Sequence, residues 1–114
     1  METHLNTSVV YEGTRYGIYW TSSAAEHVAA NYADPVHRVT HTEIVQLLKR
    51  ARYKVPIQQE TGRPNFFLFL TGRRRQVWET YVYLVPALNS WPPRCVIVTC
   101  YQSNKQQYRA LFAT

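Results

Sequence analysis

The chain has 114 residues, 46% hydrophobic and 14% aromatic, with two cysteines and a net charge of +6. That length leaves no room for two ordinary domains, and that apolar fraction supports a core, so one compact domain rather than a disordered chain is expected. No apolar run reaches the length of a membrane span, and the polar start Met1-Glu2-Thr3-His4 has no signal-peptide hydrophobic region. A single cytoplasmic domain over 1–114 is expected, with 1–8 as a flexible N-terminal tail and no membrane contact.

In chain order, Val9-Val10-Tyr11 and Tyr16-Gly17-Ile18-Tyr19-Trp20 read as short strands around a Glu12-Gly13 turn. One of Thr21, Ser22 and Ser23 caps a first helix running to Tyr32, with Ala25, Val28, Ala29 and Tyr32 as its apolar stripe and Pro35 as its stop. Thr40-His41-Thr42-Glu43 is a capping box. It opens a second helix that buries Ile44, Leu47, Leu48 and Ala51 and turns Gln46, Lys49 and Arg50 to water. Phe66–Leu70 and Val77–Val85 flank a basic turn, Thr71-Gly72-Arg73-Arg74-Arg75, as a hairpin. Pro86 to Pro93 cannot be a central strand. The run Cys95–Tyr101 is apolar on both faces until Thr99, as a central strand should be. Ser103 then caps a short helix with Tyr108, Leu111 and Phe112 inside. The order βααβββα predicts an α+β fold: an antiparallel sheet of about four strands with helices on one face.

Five strand steps separate Cys95 from Cys100 by roughly 16 Å and point them to opposite faces, beyond disulfide reach. Both are expected as buried thiols. Neither sits in a CxxC pair, so a zinc ribbon is not expected. His37 and His41 have H-x3-H spacing, but the cap at Thr40 keeps them off one continuous helix; no metal and no cofactor is expected.

The charge is unevenly placed. Residues 1–44 hold two basic residues against five acidic, whereas 45–114 hold eleven against two. Such a basic half points to an anionic partner: nucleic acid, an acidic protein or a membrane surface. Two cationic groups stand out, Lys49, Arg50, Arg52 and Lys54 at the end of the second helix and Arg73, Arg74 and Arg75 at the hairpin tip. Both are candidate phosphate contacts for RNA. Trp78, Tyr81, Tyr83 and Trp91 are available to stack bases, although most such aromatics belong to cores. His27 faces away from its helix's apolar stripe. His41 lies in the first turn of its helix, where the dipole favours a neutral imidazole. Glu79 is an acid set among aromatics, either paired with a cation or able to accept a proton.

The short strand ending in Trp20, the helix carrying Glu26-His27, the capped Thr-His-Thr-Glu-Ile-Val helix, the Gly72-Arg73 turn, the strand Arg94-Cys-Val-Ile-Val-Thr-Cys-Tyr101 and the closing helix with Tyr108 together resemble small toxin ribonucleases of the RelE superfamily, nearest its BrnT-like branch. The resemblance spans roughly residues 9–112. It implies a cytoplasmic, metal-independent endoribonuclease neutralised by a cognate antitoxin protein, with His27, Arg75 or a neighbour, Arg94, Thr99 and Tyr108 at family positions. Tyr101 stands where that branch carries an arginine, and Gln106 or Gln107 where it carries an acid. Under this reading His27 or Glu79 accepts the ribose proton, Tyr108 or a histidine donates one, and Arg75 and Arg94 hold the phosphate. The alternatives are a non-catalytic basic nucleic-acid-binding module and a protein-interaction domain for an acidic partner.

Overall fold

The structure, a computed structural model, describes residues 2–34, 38–57 and 65–113. Pro35, expected as a helix stop, and His37, weighed with His41 as a metal pair, lie outside the described residues. Among the described residues nine elements follow one another: β1 (Glu2–Tyr11), β2 (Thr14–Thr21), α1 (Ser22–Asn31), α2 (His41–Lys49), β3 (Tyr53–Pro56), β4 (Phe66–Arg73), β5 (Gln76–Val85), β6 (Arg94–Gln102) and α3 (Gln106–Ala110). The α+β class is as expected. The sheet is larger, with six strands in the order β1-β2-β6-β5-β4-β3, and it is mixed rather than antiparallel because β2 and β6 run parallel. Local turn signals announce hairpins but not a pairing across more than seventy residues of chain.

The expected tail is strand instead. Glu2, Thr3 and His4 pair with Thr21, Trp20 and Tyr19, and a register shift between His4 and Ser8 interrupts the ladder. The β1–β2 turn places Glu12 and Gly13 both at positive φ (50° and 81°), the two-residue hairpin geometry whose twist matches that of the strands it joins. This hairpin curls back until Tyr11 stacks on Phe69 of β4 at 4.4 Å and Lys54 of β3 reaches Glu12 at 2.7 Å.

The starts of α1 and α2 follow the capping chemistry. Thr21 accepts from the Ala24 amide at 3.0 Å. At α2 both arms of the box form: the Thr40 hydroxyl accepts from the Glu43 amide at 3.2 Å, and the Glu43 carboxylate accepts from the Thr40 amide at 3.1 Å. Ile44, Val45, Leu47 and Leu48 are buried, while Ala51 is only half-buried beyond the helix end. The α1 stripe is narrower than expected: Ala24 and Val28 are buried, whereas Ala29 and Tyr32 are exposed. Tyr32 lies past the last helical turn, where its ring carries the Arg38 guanidinium at 4.8 Å.

The sheet divides two apolar clusters. On one face α1 and α2 cover Val9, Ile18, Phe69, Trp78, Val82, Leu84, Cys95, Ile97 and Cys100. Thr71 donates a 2.6 Å hydrogen bond to the Leu47 carbonyl, tying β4 to the last turn of α2, where helix carbonyls lack internal partners. On the other face Ile57, Phe66, Leu68, Leu70 and Val77 collect Tyr108 and Phe112 from the C-terminal segment. Helices therefore cover both faces rather than one, because the second face carries an apolar cluster of its own on which Tyr108 and Phe112 pack. Leu111, expected inside, is 41% exposed.

One bulge changes a side-chain assignment. Tyr81 pairs with Thr99 and Val82 with Ile97, leaving Val98 as an extra residue on β6. The extra residue resets the alternation, so Cys95 and Cys100 face the same side instead of opposite sides. Both are buried free thiols. Their strand partners Leu84 and Thr80 are four residues apart on β5, roughly 13 Å, still beyond disulfide reach.

Candidate nucleic-acid interface

The β4–β5 hairpin ends in a two-residue turn. Arg73 pairs with Gln76, and Arg74 and Arg75 between them take φ of 52° and 64°. A two-residue turn with positive φ at both central positions is the I′ kind, which sequences usually supply with Asn-Gly or Asp-Gly. Two arginines there cost roughly 1 kcal/mol or more apiece relative to those residues. The turn holds two cations where the backbone is better served by none.

Three clefts meet at this turn. A cleft of about 540 Å³ is lined by Tyr32, Arg38, Glu43, Arg73, Arg74, Gln76, Trp78 and Gln102. A second, about 430 Å³, lies along α2 between Thr42, Gln46, Arg50, Gly72 and the same arginines. The third, about 570 Å³, opens on the other face between Arg73, Arg74, Arg75, Gln106, Arg109 and Phe112. Six arginines from different parts of the chain thus surround one end of the sheet. Among the described residues Glu43 is the sole carboxylate lining these three clefts, and Arg73 pairs with it at 2.5 Å. Burial pushes the Glu43 carboxyl up, but hydrogen bonds from Arg73 and from the Thr40 backbone and hydroxyl outweigh it and hold the group below its ordinary range.

Of the expected phosphate contacts, Arg50, Arg73, Arg74 and Arg75 line these clefts. Lys49 is exposed at the end of α2 without lining them. Arg52 lies over the rings of Tyr53 and Phe112 at 5.7 and 5.9 Å, beside the third cleft. Lys54 is turned away: it belongs to β3, its ammonium is paired with Glu12, and it sits over the Tyr11 and Phe67 rings. Sequence reasoning missed Arg38 and Arg109. Neither belongs to a run of Lys or Arg, so only the folded chain places them in the group.

The expected catalytic set does not converge. His27 is exposed on α1, on the helix-covered side, whereas Glu79 is fully buried on the opposite face. Arg94 pairs with Val85 of β5 at the far end of the sheet, nine strand steps or roughly 30 Å from Gln76, and its guanidinium is engaged by Glu2. Glu79 and Thr99 remain nearer the arginines' end, in a different arrangement. Tyr81 donates to Glu79 Oε1 at 2.6 Å and Tyr101 donates to Tyr81 at 3.2 Å, forming a chain of three oxygens. Burial, then the bond to Glu79, pushes the Tyr81 phenol well above its ordinary value. Glu79 Oε2 and Thr99 Oγ1 are buried with no hydrogen-bond partner among the described residues. Tyr108 packs in the second cluster with the Lys105 ammonium 5.3 Å from its ring. Sequence adjacency placed Glu79 near cations; the alternation of β5 instead turns it toward tyrosines.

Trp78 is core rather than a stacking platform, at 7% exposure, and Trp91 lies at the far end. Tyr81 and Tyr83 are half-buried on the second face, in a row of rings with Phe66 and Tyr101 at centroid distances of 4.8 to 5.9 Å. Exposed His41 sits 5.5 Å from the Trp20 ring. Among the described residues no group of three His, Cys, Asp or Glu side chains is placed to hold a metal, and no helix is long and apolar enough to cross a membrane. In comparisons with protein-family models, curated proteins and solved structures, nothing matches the chain.

Proposed function

We propose that the chain binds RNA through the arginine-lined end of its sheet. The observation that carries this reading is the convergence of Arg38, Arg50, Arg73, Arg74, Arg75 and Arg109 around three adjoining clefts, with one carboxylate among the described residues that line them. Guanidiniums hold phosphates in a planar fork and remain charged at any physiological pH. The row of half-buried tyrosines on the adjacent face suits unpaired bases, which stack on rings. RNA affinity measured against salt concentration tests the proposal: a steep loss with rising salt supports it, and no binding to single-stranded RNA at low salt overturns it.

A second reading, a RelE-like and nearest BrnT-like metal-independent endoribonuclease with a cognate antitoxin, is favoured by one further observation. The Tyr101–Tyr81–Glu79 oxygen chain lies on the face that carries Tyr108 and the third cleft, its β5 members three and five strand steps, roughly 10 and 16 Å, from Gln76 at the hairpin turn. The fully buried Glu79 cannot touch a ribose itself, so its part is to hold Tyr81. Expression from a tightly repressed promoter, with growth and RNA integrity followed, separates the two. Intact RNA and unimpaired growth leave the binding reading and remove the ribonuclease.

A further inference from the structure

The cleft between the end of α1, the start of α2 and the adjoining ends of β5 and β6 has more chemistry than a phosphate-backbone contact needs. Among the described residues its charged lining is Arg38, Arg73 and Arg74 against Glu43, a net +2. An internal phosphodiester carries one negative charge, whereas a terminal phosphomonoester carries between one and a half and two near neutral pH, about the charge offered here. Arg38 is already oriented: its Nε donates to the Tyr32 carbonyl at 2.6 Å and its guanidinium lies over the Tyr32 ring. Arg73 is held by Glu43.

The rest of the lining suits what is attached to the phosphate. Gln76 and Gln102 bring two amides, each able to donate and accept at a base edge. Trp78 supplies an apolar wall and is itself locked in the core. A volume of about 540 Å³ falls within the range of small-ligand sites and accommodates one nucleotide.

We propose that this cleft is a subsite for a single nucleotide bearing a terminal phosphomonoester. The proposal rests on the RNA-binding reading only for the identity of its natural ligand. The subsite's own chemistry is a dianionic phosphate held by guanidiniums, next to a base read by amides.

Titration calorimetry with 5′- and 3′-nucleoside monophosphates, their phosphate methyl esters and the free nucleosides tests it, the two phosphate positions distinguishing which RNA end is held. The monophosphates should bind at least tenfold more tightly than the methyl esters, and the nucleosides should not register. Arg38→Gln and Gln102→Ala should each weaken that binding several-fold, and Arg15→Gln, at the start of β2 beyond the Arg94 end of the sheet, should not. Circular dichroism on each variant confirms the fold. Equal affinity for monophosphate and methyl ester, or binding indifferent to both cleft variants, overturns the subsite. If RNA still binds with steep salt dependence while monophosphates do not, the subsite fails and the RNA reading stands. If monophosphates bind and RNA does not, the reverse holds.

Discussion

Among single residues, Glu43 joins two jobs. Its carboxylate closes the α2 capping box and holds Arg73 at the mouth of the clefts. Because its pKa is depressed in the folded protein, the stability it contributes is present above the ordinary value of 4.5 and is lost as pH falls through the lower folded value. Urea unfolding followed from neutral to acid pH should show a loss of stability below about that point, and Glu43→Gln should lack this component. The cysteines behave oppositely. Burial pushes both thiols up to about 12, so neither carries a thiolate at neutral pH. A thiol reagent should leave Cys95 and Cys100 unmodified in the native protein and label both on unfolding; rapid native labelling would contradict the buried placement.

At the scale of elements, the two hairpins make an internal comparison. Both turns are two residues long with positive φ throughout, but β1–β2 uses Glu12-Gly13 and β4–β5 uses Arg74-Arg75. Only the first contains the glycine that accepts such a backbone without cost. Strain kept at a cationic turn fits a turn selected for its charge. Replacing Arg74 and Arg75 by Asn and Gly should therefore raise stability by about 1 kcal/mol or more in urea melts while weakening RNA binding. A variant that is less stable would show that the arginines make packing interactions worth more than the backbone relief. The closing helix has a comparable dependence on one position. A β-carbon at Gly72 would lie 2.9 Å from the Phe112 ring, so Gly72→Ala should displace the C-terminal segment and cost about 1–3 kcal/mol, measurable in the same melts.

Across the whole molecule, which extends 41 Å along its longest axis, the two ends of the sheet differ in character. The arginine end carries the clefts. The other end carries the Pro86–Pro93 loop, where Leu88 and Trp91 form a small bridge and are 68% and 70% exposed, together with Arg94 paired to Glu2. RNA held as proposed meets its phosphate-binding groups at one end only. Alanine at Arg73, Arg74 and Arg75 together should flatten the salt dependence by roughly 2 in the log–log slope, at about 0.7 for each single-strand phosphate left without its cation. Arg15→Gln and Arg94→Gln should leave that slope unchanged. Equal effects at both ends would mean that net charge, rather than the cleft end, drives association.

The sequence by itself determined the features whose causes are local. The α2 box needs only Thr40 and Glu43 three residues apart, and the buried face of that helix follows from its periodicity. The β4–β5 hairpin, the central strand and the basic turn were legible for the same reason. Tertiary structure alone decided everything that joins distant segments: the parallel pairing of β2 with β6, the strand formed by the first residues, and the second face covered by α3. It also decided the site. A bulge at Val98 reversed where Cys100 points, burial took Glu79 from solvent, and strand length put Arg94 at the wrong end. Arg38 and Arg109 joined the arginine end for a converse reason: isolated cations acquire a common field only when folding brings their segments together.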